Sequence, residues 1–123
     1  MRLSAENVGS LLILYSMKTK DFDNLISTDG LVLIDFYATW CGACGAIDDA
    51  LDRTVLSMGD VVTLVRIDTT SPSSFDLVRK YNIVALPTLM LFSRGRVLWR
   101  ECGLITFERL SGILRRFHSA QLF

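Results

Sequence analysis

Two cysteines separated by two residues, Cys41 and Cys44, offer the plainest chemistry in this chain. They follow an apolar run at residues 31–37, which predicts a strand, and they open a stretch of helical periodicity. A thiol pair at a strand-to-helix junction can close into a small disulfide ring, and the free N–H groups of a helix N-terminus favour a thiolate. The pattern therefore indicates thiol redox chemistry.

The alternative for such a pair is half of a zinc site. Zinc takes about four ligands, and the remaining cysteine and histidine, Cys102 and His118, do not stand at zinc-finger spacing. The redox interpretation is therefore favoured, and we predict no metal and no bound cofactor.

An acidic residue, Asp35, interrupts the apolar run before the cysteines. An unpaired carboxylate is costly to bury, so a carboxyl group inside a buried strand is expected to have a raised pKa. The alternative is a carboxylate at a solvent-facing strand end.

Composition bounds the remaining function classes. At 123 residues the chain has the size of one domain, and its 13 basic residues balance 13 acidic ones. Net charge therefore gives no reason to expect nucleic acid or an anionic membrane as a partner. An apolar contact surface is the expected way of meeting partners.

Cysteine usage and the N-terminal sequence bear on the compartment. Three cysteines cannot all pair within the chain and are too few for a disulfide scaffold. The apolar segment 11–15 is too short to span a bilayer, and it lacks the basic flank and cleavage site of a signal peptide. We expect a reducing cytoplasm. A periplasmic or extracytoplasmic site is the alternative if a signal peptide has been removed.

Strand-length apolar runs alternate with helical periodicity along the chain. The order is β-α-β-α-β-α-β-β-α, which predicts parallel crossovers followed by an antiparallel hairpin at Ser93-Arg94-Gly95, and hence a mixed sheet. The predicted strands are 11–16, 31–37, 61–68, 88–92 and 96–100, and the predicted helices are a short one capped by Thr19, 41–58, a short one with Phe75, Val78 and Tyr81, and 106–118.

Three signatures at matching spacing give the chain a family resemblance over residues 11–118. The segments Asp35–Cys44 (DFYATWCGAC) and Val84–Thr88 (VALPT), together with Gly103, resemble the active-site motifs of the thioredoxin family. The resemblance implies an α/β thioredoxin fold, a single domain with a central mixed five-stranded sheet flanked by four helices. Residues 1–10 are assigned to an N-terminal tail that can be disordered, and residues 11–120 to the thioredoxin domain.

The resemblance also implies roles for the catalytic residues. Cys41 would attack a substrate disulfide, Cys44 would resolve the mixed disulfide, and the two would end as the redox-active Cys41–Cys44 disulfide. Asp35 would relay a proton to and from the deeper thiol.

Further residues are implied to bind substrate. The loop at Pro87, cis in the family, would cover the disulfide, and Leu86 would offer main-chain groups to an extended substrate segment. The alternatives are a trans loop proline at 87 and a core tryptophan at 40. The implied substrate-binding residues are Trp40, Gly42, Ala43, Leu86, Pro87 and Gly103.

Cys102 stands just before Gly103 and could serve as a third redox thiol. Burial as a small hydrophobic residue is commoner for a free cysteine, so we expect it to be buried.

Several departures from the family pattern concern charge and helix shape. Ala43 replaces the usual proline between the cysteines, and Gly45 stands where a lysine is common. Leu64 occupies the strand position whose lysine often pairs with the buried acid. With Asp48 and Asp49 nearby, we expect little positive charge at the thiols, so that helix geometry must stabilise the thiolate. Many family members have a proline that kinks the second helix at the position of Asp49. Because that proline is absent, we expect a straighter second helix.

The leading functional prediction is a thiol-disulfide oxidoreductase that reduces protein disulfides and is recharged by a flavin-dependent thioredoxin reductase. We expect a monomer that binds no nucleic acid and no membrane. One alternative is an extracytoplasmic disulfide oxidase or isomerase, and another is a redox-inactive, peptide-binding module. An iron-sulfur cluster held between subunits, known in some branches of the superfamily, is a remote alternative.

Overall fold

The central strand is built from the apolar run that precedes the cysteines. In the computed structural model, which describes residues 5–8, 11–14 and 19–121, this strand is Leu31–Tyr37 and lies between two neighbours. It is buried along six of its seven residues, because helices cover both faces of the sheet. The strands in chain order are β1 (Ala5–Val8), β2 (Leu11–Leu14), β3 (Leu31–Tyr37), β4 (Val62–Asp68), β5 (Thr88–Ser93) and β6 (Arg96–Cys102).

The described strands form one mixed sheet in the order β1-β2-β4-β3-β5-β6. The strand β4 runs parallel to β2 and β3, whereas β5 is antiparallel to both β3 and β6. The mixed sheet is thus confirmed, but the count of five strands is wrong. The sixth strand, β1, lies within the predicted tail and pairs antiparallel with β2, an edge pairing for which its mixed sequence AENV gave no signal. Residues 15–16 of the first predicted strand lie outside the described residues.

The helices lie on both faces of this sheet. The four predicted helical segments are all present, but the second is divided in two at Ile47. None of the helices within residues 19–121 is long and apolar enough to cross a membrane. The helices are α1 (Thr19–Ile26), α2 (Gly42–Ala46), α3 (Asp48–Met58), α4 (Phe75–Lys80) and α5 (Phe107–Gln121).

The division at Ile47 corrects the expectation of a straighter helix. The backbone N–H of Ile47 donates to the carbonyl of Gly45, which tightens the end of α2 into a turn. The sequence GACGA of α2 contains two glycines, which have a low helix propensity. Two aspartates, Asp48 and Asp49, then open α3, where the helix dipole favours negative charge. The helix is therefore interrupted at Ile47 although Asp49 stands in the place of the usual proline.

The alternation of β3 divides the core between the two faces. One apolar cluster lies against α1 and α4 and includes Phe22 and Leu77, and the other lies against α3 and α5 and includes Leu51 and Leu114. Side chains at even positions of β3 reach the first cluster, and those at odd positions reach the second. Asp35 is at an odd position, so its side chain lies on the α3 face.

Candidate active site

The turn between β3 and α2 places the first cysteine at the helix end. The N–H of Cys41 donates to the carbonyl of Ala38 at 3.2 Å, and Cys41 then caps α2 with an extended backbone. Its Sγ accepts the N–H of Cys44 at 3.2 Å. The two cysteines are therefore held one helical turn apart, with the leading sulfur directed at the helix backbone.

The two thiols differ in their access to solvent. Cys41 is half-buried, whereas Cys44 is only 2% exposed, and both are free thiols. Burial, together with a smaller contribution from its hydrogen bond with Cys41, raises the pKa of Cys44 to about 12. Cys44 therefore holds its proton firmly, and a reaction that uses its thiolate needs a nearby base.

Asp35 is completely buried below this turn, so the alternative of a solvent-facing strand end is wrong. Burial raises the pKa of Asp35 to about 6, against the lowering effect of Arg66, which confirms the predicted direction. No hydrogen bond reaches its Oδ1 atom from the described residues. The negative charge of Asp35 in turn raises the pKa of Cys44, so the two groups interact electrostatically. Asp35 is thus a buried carboxyl group within electrostatic reach of the deeper thiol.

The partner of Asp35 is Arg66, a residue that the sequence analysis missed. The pairing of β3 with β4 sets Asp35 opposite Arg66, and Nε of the guanidinium donates to Oδ2 of Asp35 at 3.1 Å. Leu64, to which the sequence analysis assigned this place, pairs with Leu33 and is fully buried in the apolar core. One unexpected guanidinium therefore lies near the thiols, opposed by the carboxylates of Asp35 and Asp48, and the stabilisation of the Cys41 thiolate by helix geometry stays a prediction. The sequence signal was a lone arginine next to the apolar residues Leu64, Val65 and Ile67.

The two cysteines, Arg66 and Asp48 line one shallow pocket of about 270 Å³, and Asp35 is buried behind Arg66. Its wall also includes Tyr37, whose ring centroid lies 5.0 Å from Cζ of Arg66. Across residues 19–121 and the two described N-terminal strands, no three or more histidine, cysteine or acidic side chains cluster as metal ligands. The pocket therefore offers sulfur, carboxylate and guanidinium groups for proton and thiol chemistry. Its lining residues are Tyr37, Ala38, Thr39, Cys41, Cys44, Gly45, Asp48 and Arg66.

The residues around the cysteines are open to solvent. Trp40 is 74% exposed, so the alternative of a core tryptophan is wrong. Gly42 is exposed and Ala43 is half-buried. The leading thiol is thus flanked by an uncovered aromatic side chain.

The proline loop lies near the end of β3 from which the cysteine turn continues. The peptide bond from Leu86 to Pro87 is cis, as the resemblance implies, and β5 begins directly after it with Thr88 opposite Phe36 near the end of β3. The N–H of Gly103, a residue with φ of 91°, donates to the carbonyl of Pro87 at 2.9 Å. Leu86 is half-buried against the α1 face. Three predicted site elements therefore meet where β3 ends and β5 begins.

Cys102 lies near the start of β5 as well, and its predicted burial is wrong. The side chain is exposed, and its Sγ lies 3.3 Å from Oγ1 of Thr88, its partner across the pair β5–β6. The reason is that β6 is an edge strand whose residues are exposed or half-buried along its whole length.

Comparison with known proteins agrees with this architecture. The family model described as Thioredoxin matches residues 13–115. A Bacillus subtilis thioredoxin is 31% identical over 90 residues, covering 73% of this chain and 85% of the relative. A thioredoxin structure from Trypanosoma brucei brucei superposes with a TM-score of 0.77 at 26% identity, covering 90% of this chain and 93% of the other.

Chloroplastic thioredoxins are also similar. Thioredoxin Y2 of Arabidopsis thaliana is 44% identical over 90 residues, which cover 72% of this chain and 53% of the relative. The chain thus spans about half the length of the chloroplastic relatives that it matches. The family model, the bacterial relative and the fold all lead to one conclusion: the chain belongs to the thioredoxin family.

Proposed function

We propose that this protein is a thiol-disulfide oxidoreductase that reduces protein disulfides through the couple formed by Cys41 and Cys44. The observation that carries the proposal is the arrangement of the thiols: Cys41 is accessible at the start of α2, and Cys44 is buried one turn behind it. A structural disulfide or a zinc half-site has no need of this asymmetry, whereas a two-step exchange uses both properties.

In the first step the Cys41 thiolate attacks one sulfur of a substrate disulfide. A bond forms between Cys41 Sγ and that sulfur while the substrate S–S bond breaks, and the departing substrate thiolate takes a proton from solvent. Cys41 suits this step because it is the cysteine of the pair that solvent and substrate can reach.

In the second step Asp35 accepts the proton of Cys44, and the resulting thiolate attacks Cys41 Sγ. The Cys41–Cys44 bond forms, the mixed disulfide breaks, and the second substrate sulfur leaves as a thiolate and is protonated. Two electrons pass from the dithiol to the substrate. The buried carboxylate fits the role of base because its pKa of about 6 leaves it largely ionised at pH 7.

Substrate would lie in extended form along the edge where the proline loop meets the thiols. Leu86 would supply main-chain hydrogen bonds, as in strand addition, and the exposed ring of Trp40 would cover apolar parts of the segment. Val84, three residues before Pro87, and Leu104, which follows Gly103, are also exposed and would add to this apolar surface. Pro87 and Gly103 would shape the loop, and Gly42 and Ala43 would line the approach to Cys41.

The proposal includes a flavin-dependent thioredoxin reductase as electron donor and a monomer in a reducing cytoplasm. A bifunctional thioredoxin reductase/thioredoxin of Mycobacterium leprae, 31% identical over 83 residues, joins the two named activities in one chain and supports such a pairing. An oxidising compartment would go with the alternative function of disulfide oxidase or isomerase.

Insulin reduction with a dithiol as electron source tests the enzyme against a redox-inactive, peptide-binding module. We expect activity in the wild type and only the background rate in Cys41→Ser and Cys44→Ser, with Cys44→Ser accumulating a mixed disulfide on Cys41. Cys102→Ser is the matched control, because it removes the third thiol, and it should retain full activity. Equal activity in all four proteins, or none in any, would count against the proposal.

Equilibration with glutathione separates a reductase from an oxidase. A potential near about −270 mV supports a reductase, whereas one near about −120 mV supports an oxidase. Ala43, in place of the usual proline between the cysteines, is the residue to exchange if the potential departs from the reductase range.

A further inference from the structure

Arg66 does not serve Asp35 alone. Its Nε donates to Oδ2 of Asp35 at 3.1 Å, and its Nη2 donates to Oδ1 of Asp48, the first residue of α3. The side chain of Arg66 is 20% exposed, that of Asp48 is 40% exposed and that of Asp35 is buried. One cation is therefore divided between a buried carboxylate and one at the pocket rim.

Among the residues that the structure describes, Arg66 is the one cation shown to act on Asp35. The ionisable groups that face it are Arg66 from β4, Asp48 from α3 and Cys44 from α2, with Cys41 acting on Cys44. Along its own strand, Tyr37 lies against Arg66, and the neighbouring residue on β5 is the apolar Leu89. The charge balance at Asp35 thus depends on how Arg66 is shared.

We propose that Asp48 is a positioning residue for proton exchange between Asp35 and Cys44. Because Asp48 shares Arg66, the positive charge of the guanidinium does not fully balance the negative charge of the buried carboxylate. This inference rests on the proposed function, in which Asp35 is the base for Cys44. In the sequence, Asp48 was considered only as a negative charge that lowers the positive charge near the thiols.

The physical reason lies in what a base must do. A carboxylate that holds an undivided guanidinium is strongly stabilised as an anion and takes up a proton reluctantly. A second carboxylate on the same guanidinium weakens that stabilisation and adds its own negative charge, which favours proton uptake by Asp35. The guanidinium can serve two carboxylates at once because its donors form a fixed, planar fork.

The neighbouring residue provides a matched control. Asp49 also lies in the first turn of α3, but its side chain is 82% exposed and pairs with Arg53 at 3.8 Å. Asp48→Asn and Asp49→Asn therefore remove the same charge from the same helix end. Only the first removes a partner of Arg66.

The test follows the carboxyl carbon of Asp35 and the β-carbons of both cysteines by NMR as a function of pH in the reduced, full chain. We expect Asp48→Asn to lower the pKa of Asp35 by about half a unit or more, and to shift the titration of Cys44 with it. Asp49→Asn should leave both titrations as in the wild type. Asp48→Glu, which retains the charge, should fall closer to the wild type than Asp48→Asn does.

The same variants are assayed for insulin reduction across the pH range. The acidic limb of the profile should move to lower pH in Asp48→Asn alone, by the amount that the Asp35 titration moves. Equal titrations in the two asparagine variants would overturn the role of Asp48, and so would a shift of Asp35 that leaves Cys44 unmoved. A wild type inactive on insulin would instead defeat the proposed function, a result separable from the titrations because they require no turnover.

Discussion

The two faces of the sheet are built from different kinds of side chain. On the α1 and α4 face, four aromatic rings pack together, with centroid separations of 5.4 to 6.4 Å: Phe22, Phe36, Tyr81 and Phe92. On the α3 face, aliphatic packing gives way at the end of β3 to Asp35, Arg66 and Asp48.

This difference separates stability from chemistry within one strand. Phe36 and Asp35 are neighbours in sequence, yet alternation sends the first into the aromatic cluster and the second beneath the thiols. Burial of the aromatic side chains stabilises the folded state, whereas burial of an ionisable group on the other face destabilises it. Substitutions on the two faces should therefore have opposite effects.

The largest expected effect is on the aromatic face. Phe22 is fully buried and contacts three other rings, so Phe22→Ala should lower the free energy of unfolding by about 3–5 kcal/mol. Urea unfolding at pH 7 measures the loss. The pH profile of insulin reduction, taken where the variant is folded, should keep its midpoint, and a moved midpoint would show that the two faces are coupled.

The opposite sign is expected for Asp35→Asn. Because the pKa of Asp35 is raised from 3.8 to about 6, the folded protein holds a proton that the unfolded chain has released between these values. Wild-type stability should therefore fall as pH rises from about 4 to about 6 and then level off, a loss of the order of 3 kcal/mol that the asparagine variant escapes.

Urea unfolding of the reduced wild type and Asp35→Asn at pH 4 and pH 8 checks this sign. The variant should be the more stable protein at pH 8, and most of that advantage should be absent at pH 4. An advantage that is the same at both pH values would point to packing rather than to ionisation.

The smallest expected effect concerns the short helix α2, which carries Cys44. A Cβ added at Gly45 meets nothing within 4 Å, so Gly45→Ala should raise the free energy of unfolding by about 0.5–1 kcal/mol. Gly112→Ala in α5, another exposed position with free space around it, is the matched control. Insulin reduction should remain at the wild-type rate in both variants. A loss confined to Gly45→Ala would mean that α2 must be loose to work.

Those features of the fold and the site that depend on neighbouring residues were predictable from the sequence. The cysteine pair, the acid in an apolar strand and the tight turn before β6 are each carried by a few adjacent residues. Arg94 and Gly95 adopt the positive φ angles that the predicted hairpin requires, at 54° and 77°.

The errors arose where distant segments meet. The register between β3 and β4 brings Arg66 to Asp35 across 31 positions of sequence, and periodicity does not encode which residues of two parallel strands become neighbours. The exposure of Cys102 depends likewise on β6 being the last strand of the sheet. The site's thiols were therefore predictable, whereas its charge balance was not.

The central claim is tested most directly by mapping the disulfides that form when the reduced chain reacts with insulin. Mass spectrometry after acid quenching should find one intramolecular disulfide, between Cys41 and Cys44, with Cys102 still a free thiol. A disulfide that includes Cys102, or three thiols left unchanged while insulin remains oxidised, would contradict the account.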